Sequence, residues 1–430
     1  MATEQEATQG PPKPKGNVRW VICGLLFLAV VLSYIDRLVI GVLKPTLTEL
    51  YDWTEGGYAN TALVFQAFYG LGFLFFGRLI DRIGPRWGYM IAMGLWTVAH
   101  MGHALVTSTR DFALMRIPLA IGESGTYPAA LAATSQWFNL RERALAIGIF
   151  NAGANLGAII TPLLVPALVL TLGWQSAFII TGLFNLVWIA VWWAFYKKPR
   201  EHKWVKPDEV AWIESEPAVD TGKSSIRAVL RHRQTWAYMS GRFLIDPVWW
   251  TFLFWLPDFF TKQFGVDMKG FGPPLVAIYL MSDVGAIVGG WTSSHLIGRR
   301  WDTGKARKFA MLMCAVIVVP VTFSAQAPSM WIAVILIGLA TACHQGFSTN
   351  LFAIPGDLFP RYAQGAVVGL GGFAGALGGM LMSKYAGMVL ETLGTYTPIF
   401  VVSGFAYLTA LVVTHLINPR YEPARMEQTA

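Results

Sequence analysis

The sequence predicts an all-α membrane protein with twelve transmembrane helices in two bundles of six. Three observations indicate this fold. The chain has 430 residues and is 54% hydrophobic but only 13% charged, whereas soluble domains carry about 25% charged residues. Twelve apolar segments follow one another along the chain, and the basic residues lie mainly in alternate connections between them. Together these features are typical of a polytopic membrane protein and not of a soluble domain.

Each apolar segment is long enough to approach the roughly 20 residues that a spanning helix needs. The first six segments cover residues 19–43, 57–80, 86–107, 111–137, 143–168 and 174–196. The second six cover residues 235–260, 272–298, 308–326, 330–356, 362–390 and 396–417.

The distribution of lysine and arginine predicts the topology. Connections on the side of the amino terminus hold 25 of these residues, and those on the other side hold 4. Basic residues accumulate in cytoplasmic loops, so we expect both termini in the cytoplasm and the protein in the inner membrane of a cell. The formal charge of +8 therefore reflects topology, and no nucleic-acid partner is expected.

One long polar connection divides the chain into two halves. We expect a cytoplasmic tail, a six-helix bundle, a cytoplasmic loop, a second six-helix bundle and a second tail, at residues 1–18, 19–196, 197–234, 235–418 and 419–430. Parallel halves that bind a ligand at their interface are one plan of secondary transporters. Helix count alone also allows a channel or a membrane enzyme.

Three cysteines, all within apolar segments, show no metal-ligand spacing and provide no disulfide framework. We therefore expect no metal and no cofactor other than a coupling proton. The first apolar segment is too long for a cleavable signal peptide, so we expect it to remain as the first helix.

Charged side chains interrupt the first apolar segment at Asp36 and Arg37, close to Tyr34. A charge at the centre of a bilayer costs about 2.5 to 3.5 kcal/mol on insertion scales, so such residues usually face a polar cavity. Alternatively, this pair lies near the membrane edge and only its ends reach water. Tyr34 and Arg37 are three residues apart and share a helix face.

Arg116 and Glu123 lie seven residues apart in the fourth segment, on one helix face. A neighbouring arginine favours an ionised carboxylate, whereas removal from water favours the neutral acid. Glu123 could therefore take up and release a proton as its surroundings change. The alternative is a permanent ion pair that holds the helix in place.

The turn after the second segment carries the pattern G-x-L-x-D-R-x-G-x-R, formed by Gly77, Asp81, Arg82, Gly84 and Arg86. This pattern resembles the loop signature of the major facilitator superfamily, in which it would serve as a conformational gating loop. An ordinary positive-inside turn remains the alternative for this loop considered alone.

Further segments resemble the anion:cation symporter family within that superfamily. They are Tyr34 to Arg37, LKPTL at 43–47, GESGTYP at 122–128 and QWFNLRERA at 136–144. Three others resemble its hexuronate transporter branch: DPVWWTFLFWLP at 246–257, HQGFSTNLF at 344–352 and VVGLGGFAGALGGML at 367–381. The branch suggests a bacterial source.

The resemblance implies roles for several residues. Asp36 and Glu123 would carry protons, and Tyr34, Arg37 and Tyr69 would contact the substrate. A guanidinium suits the partner of a carboxylate because it binds bidentately and stays charged. Family members often have glutamine in the fifth helix where this chain has Ala154. Two nearby amides, Asn151 and Asn155, could replace it.

The second half offers neutral polar groups in its tenth segment, of which His344 and Gln345 are the preferred ligand contacts. A structural histidine is the alternative for His344. In the seventh segment Trp249 or Trp250 could stack on a sugar, and Arg242 and Asp246 are expected to pair with one another. Asp283, in the eighth segment, has no assigned role.

These features predict a proton-coupled symporter, a monomer in the bilayer, that imports an anionic sugar acid such as glucuronate or galacturonate. One alternative is a symporter of an aldonate or another organic anion. Another is a sensor that binds sugar acids without moving them. No enzyme is expected, because no nucleophile and base are arranged for catalysis.

Overall fold

A computed structural model describes residues 16–215 and 226–426, and every regular element in these residues is helical. The first half contains α1 (Val18–Tyr51), α2 (Glu55–Gly102), α3 (Thr109–Ser124), α4 (Thr126–Trp137), α5 (Leu140–Leu172) and α6 (Gln175–Phe195). Two short helices follow in the connection, α7 (Pro207–Ile213) and α8 (Ile226–Leu230). The second half contains α9 (Arg233–Phe264), α10 (Gly272–Gly298), α11 (Thr303–Ile317), α12 (Met330–Leu358), α13 (Arg361–Leu393) and α14 (Thr397–Ile417).

These helices correspond to the twelve predicted segments when one long helix is counted as two spans and two short helices are counted as one span. The long α2 is two spans that meet at Gly84, where φ is 77°, a conformation that glycine adopts without penalty. Helices α3 and α4 form one span interrupted at Gly125. A 3₁₀ helix, Val319–Gln326, extends α11.

Within the described residues, nine helices are long and apolar enough to cross a membrane by length and composition alone. The spans that fall short are the second part of α2, the interrupted pair α3 and α4, and α9, which contains several charged residues. Helices α1 to α6 pack among themselves, as do α9 to α14. The predicted all-helical fold of two bundles is therefore confirmed.

Small residues allow close packing inside each bundle. A Cβ atom on Gly153 or Gly157 of α5 would come within 2.6 Å of a backbone oxygen of α1. On α13, a Cβ on Gly378 would likewise meet a backbone oxygen of α9, and a Cβ on Gly371 or Gly375 would meet the side chains of Tyr238 or Asp246. These positions must remain glycine because the helices approach one another too closely for a larger side chain.

The tail side is the side on which α1 begins, and the distal side is the side on which α1 ends. On the tail side, Arg19 forms ion pairs with Glu142 of α5 at 2.8 Å and with Glu209 of α7 at 3.1 Å. The connection between the bundles is thus attached to the first bundle through its described part.

The two bundles meet along three pairs of helices: α1 with α9, α2 with α13 and α5 with α10. Gln66 of α2 accepts a hydrogen bond from Ser383 of α13 at 3.1 Å. Nearer the tail side, an added Cβ on Gly77 of α2, or on Gly365 or Gly369 of α13, would have no neighbouring atom of the described residues within 4 Å. The seam between the bundles is therefore closed distally and widens toward the tail side.

We expect Gly157→Ala to destabilise the protein, because its methyl group would meet Val31 and Tyr34 of α1. Overpacking of this kind typically costs about 1–3 kcal/mol, which a lower midpoint of thermal unfolding in detergent would reveal. Gly148→Ala, on the same helix but with open space around it, is the control and should unfold at or above the parent midpoint. Equal midpoints for the two variants would contradict this packing.

Candidate functional site at the centre of the two bundles

The side chain of Arg37 is 3% exposed and lies between the bundles. Its Nε and Nη2 atoms are each 2.8 Å from Oε2 of Glu123. Four aromatic rings surround the guanidinium at 4.7 to 5.4 Å: Tyr34, Phe65, Tyr69 and Trp250. The charge is therefore held in a low-dielectric setting by one carboxylate and by ring faces, and it does not extend to the membrane edge.

Glu123 is fully buried in the last turn of α3. Its Oε2 atom also accepts a long hydrogen bond of 3.4 Å from Ser33. Its other oxygen, Oε1, has no hydrogen-bond partner among the described residues. A buried polar atom without a partner is costly, so this oxygen can gain from binding a proton or a ligand group.

Arg116 does not form the ion pair with Glu123 that its position on the same helix face suggested. Its guanidinium is 3.4 and 3.5 Å from the backbone oxygen of Arg37 and lies 5.3 Å from the ring of Phe65. Arg37, from a different helix, occupies the position beside Glu123. Arg116 therefore supports the backbone of α1 at the point where Arg37 projects.

Asp36 points away from Arg37, into the first bundle. Its carboxylate is 3.2 Å from Nε2 of His100 and accepts a hydrogen bond of 2.5 Å from Asn185. His100 also lies 2.6 Å from the hydroxyl of Thr181. Sequence reasoning missed these partners, although polar residues inside apolar segments were the available signal.

In the second bundle, Trp249 and His344 stack with ring centroids 5.1 Å apart and an angle of 8°. Nδ1 of His344 is 2.9 Å from the hydroxyl of Tyr407, and its Nε2 is 3.3 Å from Ser348. Trp249 also contacts Tyr34 of the first bundle. One continuous set of side chains from both bundles is therefore formed by Tyr34, Arg37, Tyr69, Trp249 and His344.

Of the remaining predicted ligand contacts, Asn151 lies against Tyr127, which interacts with Tyr69 of that set. Asn151 is exposed on α5, Gln345 is half-buried on α12, and Asn155 donates a hydrogen bond to Asp283 of α10. Arg242 and Asp246 pair at 2.6 Å, as predicted, and Arg242 also contacts Tyr238 and Phe352. Arg242 is therefore a second arginine in the bundles whose charge is neutralised by a carboxylate.

The loop after the first part of α2 lies on the tail side. Arg86 donates a hydrogen bond of 2.8 Å to the backbone oxygen of Trp193, Arg82 is exposed, and the side chain of Asp81 is outside the described part. Gly77 and Gly84 have open space around them. This loop is therefore linked to α6 and borders the widened part of the seam.

A cluster of four charged residues joins the bundles on the distal side. Nζ of Lys44 is 2.7 Å from both Asp258 and Glu55, and Lys262 also pairs with both carboxylates. Lys44 is 1% exposed and is packed between the rings of Tyr58 and Trp255. Sequence reasoning does not predict this cluster, because it assigns Lys44 to an outer connection.

No group of three or more histidine, cysteine, aspartate or glutamate side chains that could hold a metal ion occurs in the part of the chain that the structure describes.

Two helical bundles around a buried, ion-paired guanidinium define a membrane transporter of the two-bundle class. The chain belongs to the Major Facilitator Superfamily, whose pattern matches residues 26–383.

Known relatives agree with this assignment. The chain is 32% identical to the hexuronate transporter of Escherichia coli, over 93% of this chain and 94% of the relative. It is 34% identical to the galacturonate transporter of Dickeya chrysanthemi, over 65% of this chain and 82% of the relative. The predicted membership of the hexuronate transporter branch is confirmed.

A solved structure has the same fold. A bacterial homolog of the human lysosomal transporter Spinster, in an inward-facing and unoccupied conformation, superposes with a TM-score of 0.71. It is 17% identical, and the match covers 95% of this chain and 97% of the other.

Replacing Lys44 should open the distal side. Lys44→Met leaves Asp258 and Glu55 with Lys262 alone, and removing one partner of a buried ion pair costs about 3–5 kcal/mol. We expect a larger distance between spin labels at Thr107→Cys and Pro328→Cys, which are exposed on distal loops of the two bundles. Lys262→Met is the matched control and should change the distance less, because Lys262 is 41% exposed. A Lys44→Met protein with the parent distance would show that the cluster does not hold the distal side closed.

Proposed function

We propose that this protein is a proton-coupled symporter that imports a hexuronate, such as glucuronate or galacturonate, across the inner membrane of a bacterium by alternating access. One observation carries the proposal: the buried guanidinium of Arg37, between the two bundles, has Glu123 as its one carboxylate partner in the part of the chain that the structure describes. A carboxylate of the cargo has the charge and shape to take the place of that partner. The site is built from one chain, so a monomer is the proposed transporting unit.

The relatives support a uronate as the cargo. Two proteins that are 32% and 34% identical to this chain over the aligned residues bear the names hexuronate transporter and galacturonate transporter. An aldonate is the second candidate, since the D-galactonate transporter of Escherichia coli is 26% identical over 94% of this chain. Both classes combine one carboxylate with several hydroxyl groups.

In the proposed binding step, a proton on Glu123 removes its negative charge and releases Arg37 for the cargo carboxylate. Tyr34 and Tyr69, whose rings lie 4.8 and 4.7 Å from the guanidinium, supply hydroxyl groups beside it. Trp249 and His344 present an aromatic face and ring nitrogens from the second bundle. The sugar ring is thus held between the bundles, with its carboxylate on Arg37.

Asp36 is the second proposed proton carrier. It lies outside the ring of aromatic side chains and contacts His100 and Asn185. Its proton would therefore alter the packing of α1 against the first bundle, while the proton on Glu123 acts on Arg37 directly. Release follows when Glu123 loses its proton on the tail side, which we propose to be cytoplasmic, and pairs with Arg37 again.

The proposed roles of Arg37 and Glu123 can be separated in liposomes. Arg37→Ala should weaken binding of glucuronate or galacturonate about tenfold to a hundredfold, since a hydrogen bond to a charged group contributes about 1.5–3 kcal/mol. Glu123→Gln should keep binding and counterflow exchange but lose accumulation driven by a pH gradient. Calorimetry and uptake of labelled sugar acid measure the two properties.

Exposed residues provide the controls for these variants. Arg110→Ala and Glu49→Gln remove the same charges at exposed positions and should behave as the parent. The double variant Arg37→Ala/Glu123→Gln leaves no unpaired carboxylate, so its loss of binding would be due to the missing guanidinium. Tight binding without uptake by the parent would support a sensor, and accumulation of galactonate but neither uronate would support the aldonate transporter.

The number of protons decides whether uptake carries charge. If Asp36 and Glu123 both carry protons, each monoanion enters with one net positive charge. The membrane potential then contributes about 2.3 kcal/mol per 100 mV, close to a fifty-fold change in accumulation. We expect a positive inward current when uronate is added to proteoliposomes on a solid-supported membrane. Active uptake without current would show that one proton moves with each anion.

A further inference from the structure

Asp283 lies inside α10, which is long and apolar enough to span the membrane. It is half-buried, and no lysine, arginine or histidine in the described residues lies within ion-pair distance of it. The hydrogen bond that it makes comes from Nδ2 of Asn155, on α5 of the opposite bundle. A carboxylate with an amide as its partner, at the seam between moving bodies, requires an explanation.

Of the two polar atoms of the Asn155 amide, it is Nδ2 that makes this hydrogen bond. Its Oδ1 atom is buried and has no hydrogen-bond partner in the described residues. An ionised Asp283 has only acceptor atoms and cannot satisfy this oxygen. A protonated Asp283 has one O–H group that can donate to Oδ1 while its other oxygen accepts from Nδ2. The neutral acid therefore suits the closed seam better than the carboxylate does.

Both residues belong to rigid parts of their bundles. Asn155 lies between Gly153 and Gly157, which pack tightly against α1, the helix of Arg37. Asp283 lies just before Gly285 and Gly289, which pack against α12. The hydrogen bond between α5 and α10 lies near the middle of α5, and distal to it Gly272 of α10 packs against Leu163 of α5. Separation of these two helices on the distal side would therefore bring water to Asp283.

Two titratable groups near this depth are Tyr34 of α1, which lies against Gly157, and Tyr279 of α10, which is buried one turn before Asp283. Helix α12 contributes Cys343 and His344, and α11 contributes Cys314, whose Sγ lies close to Gly346. The charged residues Glu142 and Arg143 of α5 lie at its tail-side end, about 18 Å from Asn155 at 1.5 Å per residue. Lys269 precedes α10, and Arg307 of α11 pairs with Asp357 at the end of α12.

We propose that Asp283 is a proton-binding residue that couples protonation to closure of the distal side, with Asn155 as its partner across the seam. When the distal side is open, water surrounds the carboxylate and favours its ionised form. Closure removes this water, and an unpaired charge in hydrocarbon is costly, so closure and proton binding favour each other. Asn151, one turn nearer the tail side than Asn155, is exposed, which offers a route by which the proton leaves.

The sign of this coupling suits symport. A proton that binds from the distal side favours the conformation open to the tail side, and its release there favours the return. The role in uptake rests on the proton-coupled transport proposed above. The conformational effect of Asp283 does not depend on the cargo.

Spin-label distances test the proposal without substrate. In a chain whose cysteines are replaced by alanine, labels at Thr107→Cys and Pro328→Cys report the ratio of closed to open distal side in liposomes from pH 5 to 8. One proton bound on closure changes this ratio by up to about tenfold per pH unit. We expect the closed fraction to rise as pH falls, and Asp283→Asn to remove one proton's share of this slope.

Further variants separate titration from structure. Asp283→Glu keeps a carboxyl group and should keep the slope. Asn155→Ala should reduce the closed fraction at every pH, because Asp283 loses its partner across the seam. Asp267→Asn removes an exposed carboxylate of the same bundle and should match the parent. If Asp283→Asn fails to fold, the slope in Asp283→Ala decides the proposal in its place.

A parent slope retained in Asp283→Asn would overturn the proposal, and so would a closed fraction that falls with decreasing pH. Absence of uronate uptake by the parent would instead refute the proposed function. In that case the pH dependence of the label distance would still test the effect of Asp283 on closure of the distal side.

Discussion

The fold depends on a positive charge that has been placed inside an apolar bundle and must be neutralised there. Arg37 is buried, and the carboxylate of Glu123 balances its charge at 2.8 Å. Removing either group would leave the other unpaired in a medium where a lone charge costs several kcal/mol. The surrounding rings stabilise the cation further. One of them, Trp250, comes from the second bundle, so both bundles contribute to the site from which cargo binding is proposed to begin.

Closure of the distal side combines polar and apolar contacts. Lys44 joins α1 of the first bundle to Asp258 of α9, while the hydroxyl of Tyr58 donates to the backbone oxygen of Phe254 at 2.7 Å. The backbones also approach closely at Gly41, where an added Cβ would lie 3.2 Å from that same oxygen. When the distal side opens, these buried polar groups form hydrogen bonds with water instead. The free-energy difference between the closed and open states is therefore smaller than it would be for an apolar seam.

The sequence was sufficient to predict the helices, the two bundles and the central arginine, because these follow from apolar segment length and from the rarity of charges within it. Partners across helices were harder to predict. Periodicity placed Arg116 and Glu123 on one face, but it could not show that Arg37 of another helix would reach Glu123 first. The contacts of Asp36 with His100, of Lys44 with Asp258 and of Asn155 with Asp283 join residues far apart in the chain. Only the packing of the bundles brings them together.

The location of each polar pair decides what a rocking motion can change. Arg37 and Glu123 both belong to the first bundle, and Arg242 and Asp246 both belong to α9, so rigid-body motion separates neither pair. The contacts of Lys44 with Asp258 and of Asn155 with Asp283 cross the seam, and the motion must break them. In the proposed cycle, access to Arg37 is controlled by chemistry at Glu123, through protonation or competition by an anion, whereas the choice of open side is controlled at the seam. The proposed proton coupling needs both controls to respond to the same proton gradient, and the proposed proton-binding carboxyl group at each location would provide that response.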